Sequence, residues 1–353
     1  MVLIWKESDR FQIEPFTADS NHDTTCTINS ISLSSDAHYL AIGYGTQLQI
    51  WDLVDKTAVA PKANVEINTT TNFATWFSKS PRLVTAHDEG PVYVFTIENP
   101  GVDIAYHRDI GVEKPATSIA ILDERTMAVA LTEFVQIQWL DEGRWKTLGQ
   151  ISPSLNEGTS VRSVHTITQN RVLVSYSDEQ AIIWQITRDS VGYVEPQVLN
   201  VLSLPGLVVD SIGNRILCTD HASRTYKSFK IGADGVEPQA ILSPRTRDVY
   251  KTPQPASTAT FLPPYGNAII GGGVGQLILF DDQGNRLQNL SFKDESEQRS
   301  MVEQANRACV APQSISCIYV NDTDTGFLAS AINLDNRGEV IIWRTKEMFY
   351  LYL

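Results

Sequence analysis

Apolar and polar positions alternate with a period of two along most of the chain, in short runs separated by turn-forming residues. The segment from Cys26 to Asp52 shows this most clearly. Ile28, Ser30-Ile31 and Leu33 lead into the turn Ser34-Ser35-Asp36-Ala37. The run Tyr39-Leu40-Ala41-Ile42-Gly43 follows, then a tight turn at Tyr44-Gly45-Thr46, then Leu48-Gln49-Ile50-Trp51-Asp52. Alternation at period two places successive side chains on opposite faces of a strand, and Ser, Asp and Gly supply the reversals. The segment therefore predicts strand, turn, strand, turn, strand. A large aromatic closes the third run and recurs at Trp51, Phe95, Trp139, Trp184, Phe229, Phe280 and Trp343, with gaps of 44, 44, 45, 45, 51 and 63 residues. Apolar stretches such as Val92-Tyr93-Val94, Val135-Gln136-Ile137, Ala181-Ile182-Ile183 and Leu277-Ile278-Leu279 precede it; Tyr226-Lys227-Ser228-Phe229 is the weakest copy. An aliphatic pair ending in an aromatic suits a strand buried on both faces between neighbouring sheets. Near-constant spacing over seven copies predicts a repeat architecture.

The segment Leu33-Ser34-Ser35-Asp36-Ala37-His38-Tyr39-Leu40-Ala41-Ile42-Gly43, followed by Leu48-Gln49-Ile50-Trp51-Asp52, resembles a WD40 repeat. Weaker copies include Leu83-Val84-Thr85-Ala86-His87-Asp88-Glu89-Gly90 and Asn333-Leu334-Asp335-Asn336-Arg337-Gly338. The resemblance implies an all-β fold: a seven-bladed β-propeller with four-stranded antiparallel blades, occupying 1–353 as one domain. The blades are expected at about 20–66, 67–112, 113–155, 156–202, 203–243, 255–293 and 310–348. Only Trp51-Asp52 keeps the literal Trp-Asp pair, and the Gly-His dipeptide of the family is missing throughout. The resemblance thus implies the architecture without the family's Asp–His–Ser/Thr–Trp relay, and it specifies little about molecular function. Closing the ring removes unpaired strand edges. Propellers of this kind close by placing an N-terminal strand in the last blade, and Phe11-Gln12-Ile13-Glu14 is expected as that outer strand beside Val340–Trp343. The segment Val2–Trp5 fits less simply. Trp5 lies 46 residues before Trp51, like the third strand of a blade lacking its first half, which allows either a longer array or a displaced strand.

Two connections interrupt the rhythm. Residues 243–256 contain three prolines, which predict an extended loop, and carry Arg245, Arg247 and Tyr250. Residues 294–309 are rich in helix formers with acidic residues at the start, so a short helix is expected there. Both join an outermost strand to the next innermost one, which in a propeller puts them on the face carrying the turns between second and third strands. Long loops in compact domains are commonly functional or disordered.

Charge narrows the partner. The formal net charge of -13 repels phosphate backbones, so nucleic acid is not an expected partner and a basic protein segment is. No apolar run approaches the length of a membrane span and no signal-peptide pattern opens the sequence, so no membrane association is expected. The four cysteines form no C-x-x-C pair and read as reduced thiols. The cytoplasm is the expected compartment, with the nucleus open, and the sequons at Asn68, Asn289 and Asn321 carry no weight there.

The candidate chemistry is thin. The run Gly271-Gly272-Gly273-Val274-Gly275 is followed by a strand rather than by the helix a phosphate loop requires, and reads as a hairpin turn. His87-Asp88-Glu89 and Asp220-His221 with Ser223 contain acid–base residue types without a nucleophile elbow. Asp322-Thr323-Asp324-Thr325-Gly326 lacks the full ligand spacing of a calcium loop. Trp76 and Trp145 read as packing residues. No catalytic residue, cofactor or metal site is therefore assigned. The expected function is a non-catalytic protein-interaction scaffold, with a propeller enzyme or a small-ligand binder using the central channel as the alternative. Partner contacts are expected at Tyr44, His87, Asp88, Phe134, Tyr176, Asp178, Arg224, Arg245, Arg247, Tyr250 and Arg337, because loops on a rigid scaffold carry function and Tyr and Arg dominate interfaces.

Overall fold

The computed structural model of the chain describes residues 3–13, 28–54, 63–66, 69–88, 92–97, 104–107, 112, 114–151, 158–188, 194–203, 208–212, 215–220, 225–232, 236–243, 259–262, 267–272, 276–291, 312–320, 325–334 and 337–347. Every regular element among them is a β-strand. An N-terminal strand, β1 (Leu3–Ile13), is followed by β2 (Ile28–Leu33), β3 (Tyr39–Tyr44), β4 (Gln47–Asp52) and β5 (Ala63–Glu66). Next come β6 (Thr71–Trp76), β7 (Arg82–His87), β8 (Tyr93–Ile97) and β9 (Ile104–His107), then β10 (Ala116–Asp123), β11 (Thr126–Leu131), β12 (Val135–Asp141) and β13 (Arg144–Ile151). The pattern continues with β14 (Val161–Thr168), β15 (Arg171–Tyr176), β16 (Gln180–Arg188) and β17 (Val194–Ser203), and with β18 (Val208–Ile212), β19 (Arg215–Asp220), β20 (Thr225–Ile231) and β21 (Val236–Leu242). It ends with β22 (Ala259–Leu262), β23 (Asn267–Gly272), β24 (Gln276–Phe280) and β25 (Arg286–Ser291), and with β26 (Pro312–Val320), β27 (Thr325–Leu334) and β28 (Arg337–Glu347).

Six groups of four pair in chain order as antiparallel sheets, and the last sheet has the order β1-β28-β27-β26. The first strands of the sheets lie against one another in sequence: β2 on β6, β6 on β10, β10 on β14, β14 on β18, β18 on β22 and β22 on β26. β26 in turn lies on β2. Hairpins within the sheets, Ser34–His38 between first and second strands and Asp281–Asn285 between third and fourth, are locked by side-chain oxygens. Ser34 Oγ bonds Asp36 Oδ1 at 2.6 Å and accepts Tyr39 N–H at 2.9 Å, around Ala37 at φ +57°. Asp281 accepts Gln283 and Asn285 N–H in a hairpin completed by Gly284 at φ +83°.

The core is distributed between sheets. Leu40, Ile42 and Trp51 pack with Ala329, Val340 and Ile342 of the last sheet, while Ala41, Leu48 and Ile50 pack with Trp76, Leu83 and Phe95 of the next. Val84, Ala86 and Val94 meet Ile119, Met127 and Val129; Ala128, Val135 and Ile137 meet Val164, Val172 and Ile182. This explains the period-two pattern in which both sets of side chains are apolar: each inner strand is covered on two faces. The closing aromatic is buried at Trp51, Phe95, Trp184, Phe280 and Trp343 and partly so at Phe229. In the β10–β13 sheet the ladder puts the buried Gln138 at that position, opposite Met127, and the half-buried Trp139 one residue beyond it. Trp76 is buried and donates Nε1–H to Ser32 O across a seam, and Trp145 packs on Phe77. Part of the Trp-to-hydroxyl pattern survives without its sequence signature, since Trp343 Nε1–H donates to Ser330 Oγ at 3.0 Å. Cys218 is a buried free thiol; the side chains of the other cysteines lie outside the described residues.

The N-terminal segment corrects one expectation. Residues 3–13 form a single strand paired to β28 along its whole length, from Leu3 opposite Glu347 to Phe11 opposite Val340 and Ile13 opposite Gly338. Leu3–Trp5 is thus the continuation of the outer strand and not the third strand of an incomplete blade. The reason is that β28 extends beyond Trp343 to Glu347 and supplies backbone partners for it. A bulge between Glu7 and Asp9 absorbs the extra residue, and Ser8 there donates to Ile342 O at 3.1 Å.

At the junction of the last and first sheets, a Cβ built on Gly338 would stand 2.4 Å from Ile28 Cδ1 and 2.7 Å from its Cγ1. Gly338→Ala therefore overpacks this seam and is expected to cost about 1–3 kcal/mol. A urea titration should show a lower midpoint at unchanged slope, and Ile28→Val in the same chain should recover part of the loss by removing Cδ1.

Candidate functional site

The antiparallel order carries all turns between second and third strands to one face of the array. Six first strands share a further device at the same end. Their registers shift between Ile28 and Ser30, Thr71 and Phe73, Ala116 and Ser118, Val161 and Ser163, Val208 and Asp210, and Pro312 and Ser314. Each shift leaves one residue out of the ladder, and such bulges re-aim a side chain. Asn72 donates to Asp88 Oδ1, Thr117 Oγ–H donates to Ala130 O, and Arg162 donates to Ser177 O. Bulge residues therefore brace the adjacent turns. These positions went unrecognised in the sequence, although the aligned triplets Ile28-Asn29-Ser30, Thr71-Asn72-Phe73, Ala116-Thr117-Ser118 and Val161-Arg162-Ser163 carry the signal.

The expected contact residues divide by position. Tyr44, His87 and Tyr176 each end a second strand and are buried, at 2%, 0% and 3% exposure. They are therefore not surface contacts. Each of these strands is covered on both faces through its last residue, and the turn begins one residue later. The polar atoms of His87 and Tyr176 are used internally: His87 Nε2 bonds Thr85 Oγ1 at 2.8 Å and Nδ1 meets Thr71 Oγ1 at 3.3 Å, while Tyr176 OH accepts Trp184 Nε1–H at 3.2 Å. Burial pushes the His87 imidazole down to about 4, with Asp88 pulling weakly the other way. Burial likewise pushes the Tyr176 phenol up to about 12. A neutral imidazole with both nitrogens facing threonine hydroxyls has no ring atom left for a substrate.

Asp88 and Asp178 do reach solvent, and Phe134 is half-buried. Glu133 and Glu179 are exposed beside them; Glu179 has φ +65°, and Asp178 accepts Gln180 N–H at 3.2 Å in the same turn. Lys114 bonds Glu133 at 2.6 Å and lies 5.9 Å from the Phe134 ring centre. Arg337 opens β28 opposite Leu334, and its side chain lies outside the described residues. Arg224, Arg245, Arg247 and Tyr250 lie outside them entirely, as do Glu89, His221, Ser223, Asp322–Asp324 and the expected helix at 294–309. Gly272 pairs with Gln276 where the glycine run turns between β23 and β24.

Near the middle of the array, Ser163 Oγ lies 2.9 Å from His165 Nε2 and 2.6 Å from Ser175 Oγ. Ser163 and Ser175 are buried, so this pairing joins β14 to β15 and offers no accessible nucleophile. No group of three His, Cys, Asp or Glu able to hold a metal ion occurs among the described residues, and no described helix is long and apolar enough to cross a membrane.

The sequence matches no protein-family model and no curated protein sequence. The structure does have a likeness. It superimposes on the β-propeller domain of Cps50 (Swd1) from Myceliophteria thermophila with a TM-score of 0.65 at 11% identity, covering 91% of this chain and 99% of that domain. The fold is that of a β-propeller. At that identity the likeness speaks for the path of the backbone alone. The set of side chains on the turn face is consequently the informative part, and among the described residues there the exposed carboxylates outnumber the exposed cations.

Proposed function

We propose that the chain is a closed, seven-bladed wheel acting as a non-catalytic scaffold that holds a basic segment of a partner protein on its turn face. The carrying observation is the acidic arc of Asp88, Glu133, Asp178 and Glu179, all exposed on consecutive sheets around the half-buried ring of Phe134. Rigid sheets hold these turns, so a partner meets a preformed surface and little ordering cost is added on binding. The net charge of -13 steers a cationic segment to it. The imidazole of His87, buried beneath this face, is bound on both nitrogens, which supports recognition over catalysis. In this reading the bulge residues Asn72 and Arg162 fix the turns, and the partner's cations replace Lys114 at Glu133.

Fluorescence anisotropy of a labelled lysine- and arginine-rich peptide tests the reading. Binding is expected to weaken by more than about tenfold when Glu133, Asp178 and Glu179 are changed together to Lys, the scale of a few interfacial charge contacts. It should also fall as salt rises through the range where the screening length drops below about 10 Å. Affinity that survives both changes would place any partner elsewhere.

A further inference from the structure

The seams between sheets can be compared with one another, on the face opposite the turn face. At the seam between the β6–β9 and β10–β13 sheets, Glu124 leads a two-residue hairpin and reaches back into the hairpin of the preceding sheet. Its carboxylate accepts Ser80 Oγ–H at 2.6 Å, Lys79 N–H at 2.7 Å, Arg82 Nη2–H at 3.0 Å and Ser78 Oγ–H at 3.3 Å. Burial works against the charge, yet the bonds from Ser80, Lys79 and Arg82 hold this carboxyl below the usual range. Arg82 also covers the Phe77 ring at 4.3 Å, so this seam is filled.

One sheet further on, Gln169 stands where Glu124 stood. Asp123 pairs with Thr126 across the hairpin led by Glu124, and Thr168 pairs with Arg171 across the hairpin led by Gln169. Gln169 is exposed, and among the described residues its side chain makes no hydrogen bond across the seam. In place of a clasp there is a cavity of about 430 Å³, walled by Leu122, Asp123, Trp139, Leu148, Gln169 and Gln185 among others. Two departures from the repeat meet there. The ladder gives the position of the buried Trp51, Phe95 and Trp184 to the buried Gln138, opposite Met127, so Trp139 stands one residue beyond it, half-buried and bordering the cavity. The receiving hairpin has also reversed its charge: Arg82 and Ser78 of the filled seam give way to Thr126 and Asp123. Asp123 is the one formally charged residue among those described on the wall.

We propose that this cavity receives an arginine side chain from a partner peptide, its stem along Leu122 and Leu148 and its guanidinium between the Trp139 ring and the Asp123 carboxylate. An indole face and a carboxylate together favour a planar cation. The carboxamide of Gln169 supplies an oxygen acceptor for a remaining N–H group, while Gln185 Oε1 already accepts Arg171 Nε–H at 3.2 Å. A phosphate or carboxylate ligand would meet Asp123 with no cation on the wall. The proposal shares with the scaffold reading only the premise of a protein partner, since its residues lie on the other face.

Fluorine NMR of protein labelled with fluorotryptophan tests it, with the Trp139 resonance assigned from Trp139→Phe. Capped Ala-Arg-Ala is titrated against capped Ala-Leu-Ala and Ala-Glu-Ala. The arginine peptide is expected to shift the Trp139 resonance saturably, with affinity reduced about three- to tenfold by Asp123→Asn. Gln169→Lys, which lends the cavity a cation of its own at an exposed position, should abolish the response. It also keeps the test decisive if Asp123→Asn disturbs the hairpin, where Asp123 accepts Arg125 N–H and Thr126 Oγ–H. No saturable shift, an equal response to the leucine peptide, or a response unaltered by Gln169→Lys overturns the proposal. The turn-face triple Lys variant should leave the shift intact, which separates failure of one site from failure of the other.

Discussion

Replacing Arg10 with Ala should lower the unfolding free energy by about 3 kcal/mol, the lower end of the range for orphaning one member of a buried ion pair. Arg10 lies on β1 and donates through Nη1 to Glu339 of β28, with Nε and Nη2 held by Glu7 at 2.9 and 2.8 Å. The carboxylate of Glu339 is almost fully enclosed, its side chain 4% exposed, whereas Arg10 is about one-third exposed. Bonds from Glu7, and the charges of Glu339 and Glu7, raise the affinity of Arg10 for its proton, so the cation persists at any working pH. Without it, a negative charge remains enclosed beside Val340 and Gly338 with no counterion at that distance. Glu339→Gln added to Arg10→Ala should restore part of the loss, because the orphan is then neutral. Urea titrations of the two single variants and the double variant measure this. Additive losses in the double variant would show that packing, and not charge, sets the strength of the closure. The second link, Arg344 to Asp9 at 3.3 Å, is partly exposed at both ends and should contribute less.

The second large effect concerns acid. His87 is fully buried and its imidazole titrates near 4 in the folded chain, against about 6.5 when unfolded. Between those values the unfolded chain binds the additional proton, so stability rises with pH across that window. The contribution is complete above about pH 6.5 and is lost as pH falls toward 4, amounting to about 3 kcal/mol over the whole interval. Denaturant midpoints measured at half-unit steps from pH 7.5 to 4 should fall accordingly. His87→Gln keeps a donor and an acceptor for Thr71 and Thr85 without a titrating ring, and is expected to flatten the decline. If the variant and the parent fall in parallel, carboxylates such as Glu124 in its seam are the groups responsible, not the imidazole.

The strand content and the sheet-by-sheet grouping were legible because β-strands write their burial directly into alternation. Leu40, Ile42, Leu48 and Ile50 are simultaneously the pattern and the core. The turn face was only half legible. Asp88 and Asp178 sit one and two residues beyond their strands and are exposed, but Tyr44, His87 and Tyr176 sit one residue too early. These second strands are covered on both faces up to their last residue, so an error of a single position at the strand end exchanges core for solvent. Trp5 misled for a different reason. Its spacing from Trp51 matched the repeat by coincidence, and the pairing that defines its role is with Thr345, at the far end of the chain, where no local pattern points. The open seam beside Trp139 was invisible for a similar reason. Gln169 differs from Glu124 by one functional group, and the consequence appears only when the hairpin it fails to reach is in view.

The pairing of β1 with β28 also sets the timetable of synthesis. Leu3 leaves the ribosome well before its ladder partner Glu347, which follows more than three hundred residues later. At translation speeds of about 5–20 residues per second, that wait is tens of seconds. Through this interval β1 carries unpaired amides with no sheet to join, and β2 faces a gap where β26 will stand. Nascent chains are thus most prone to associate with one another before β28 arrives, and slowing elongation just ahead of the β28 codons should lower soluble yield more than the same delay placed before β1 is made.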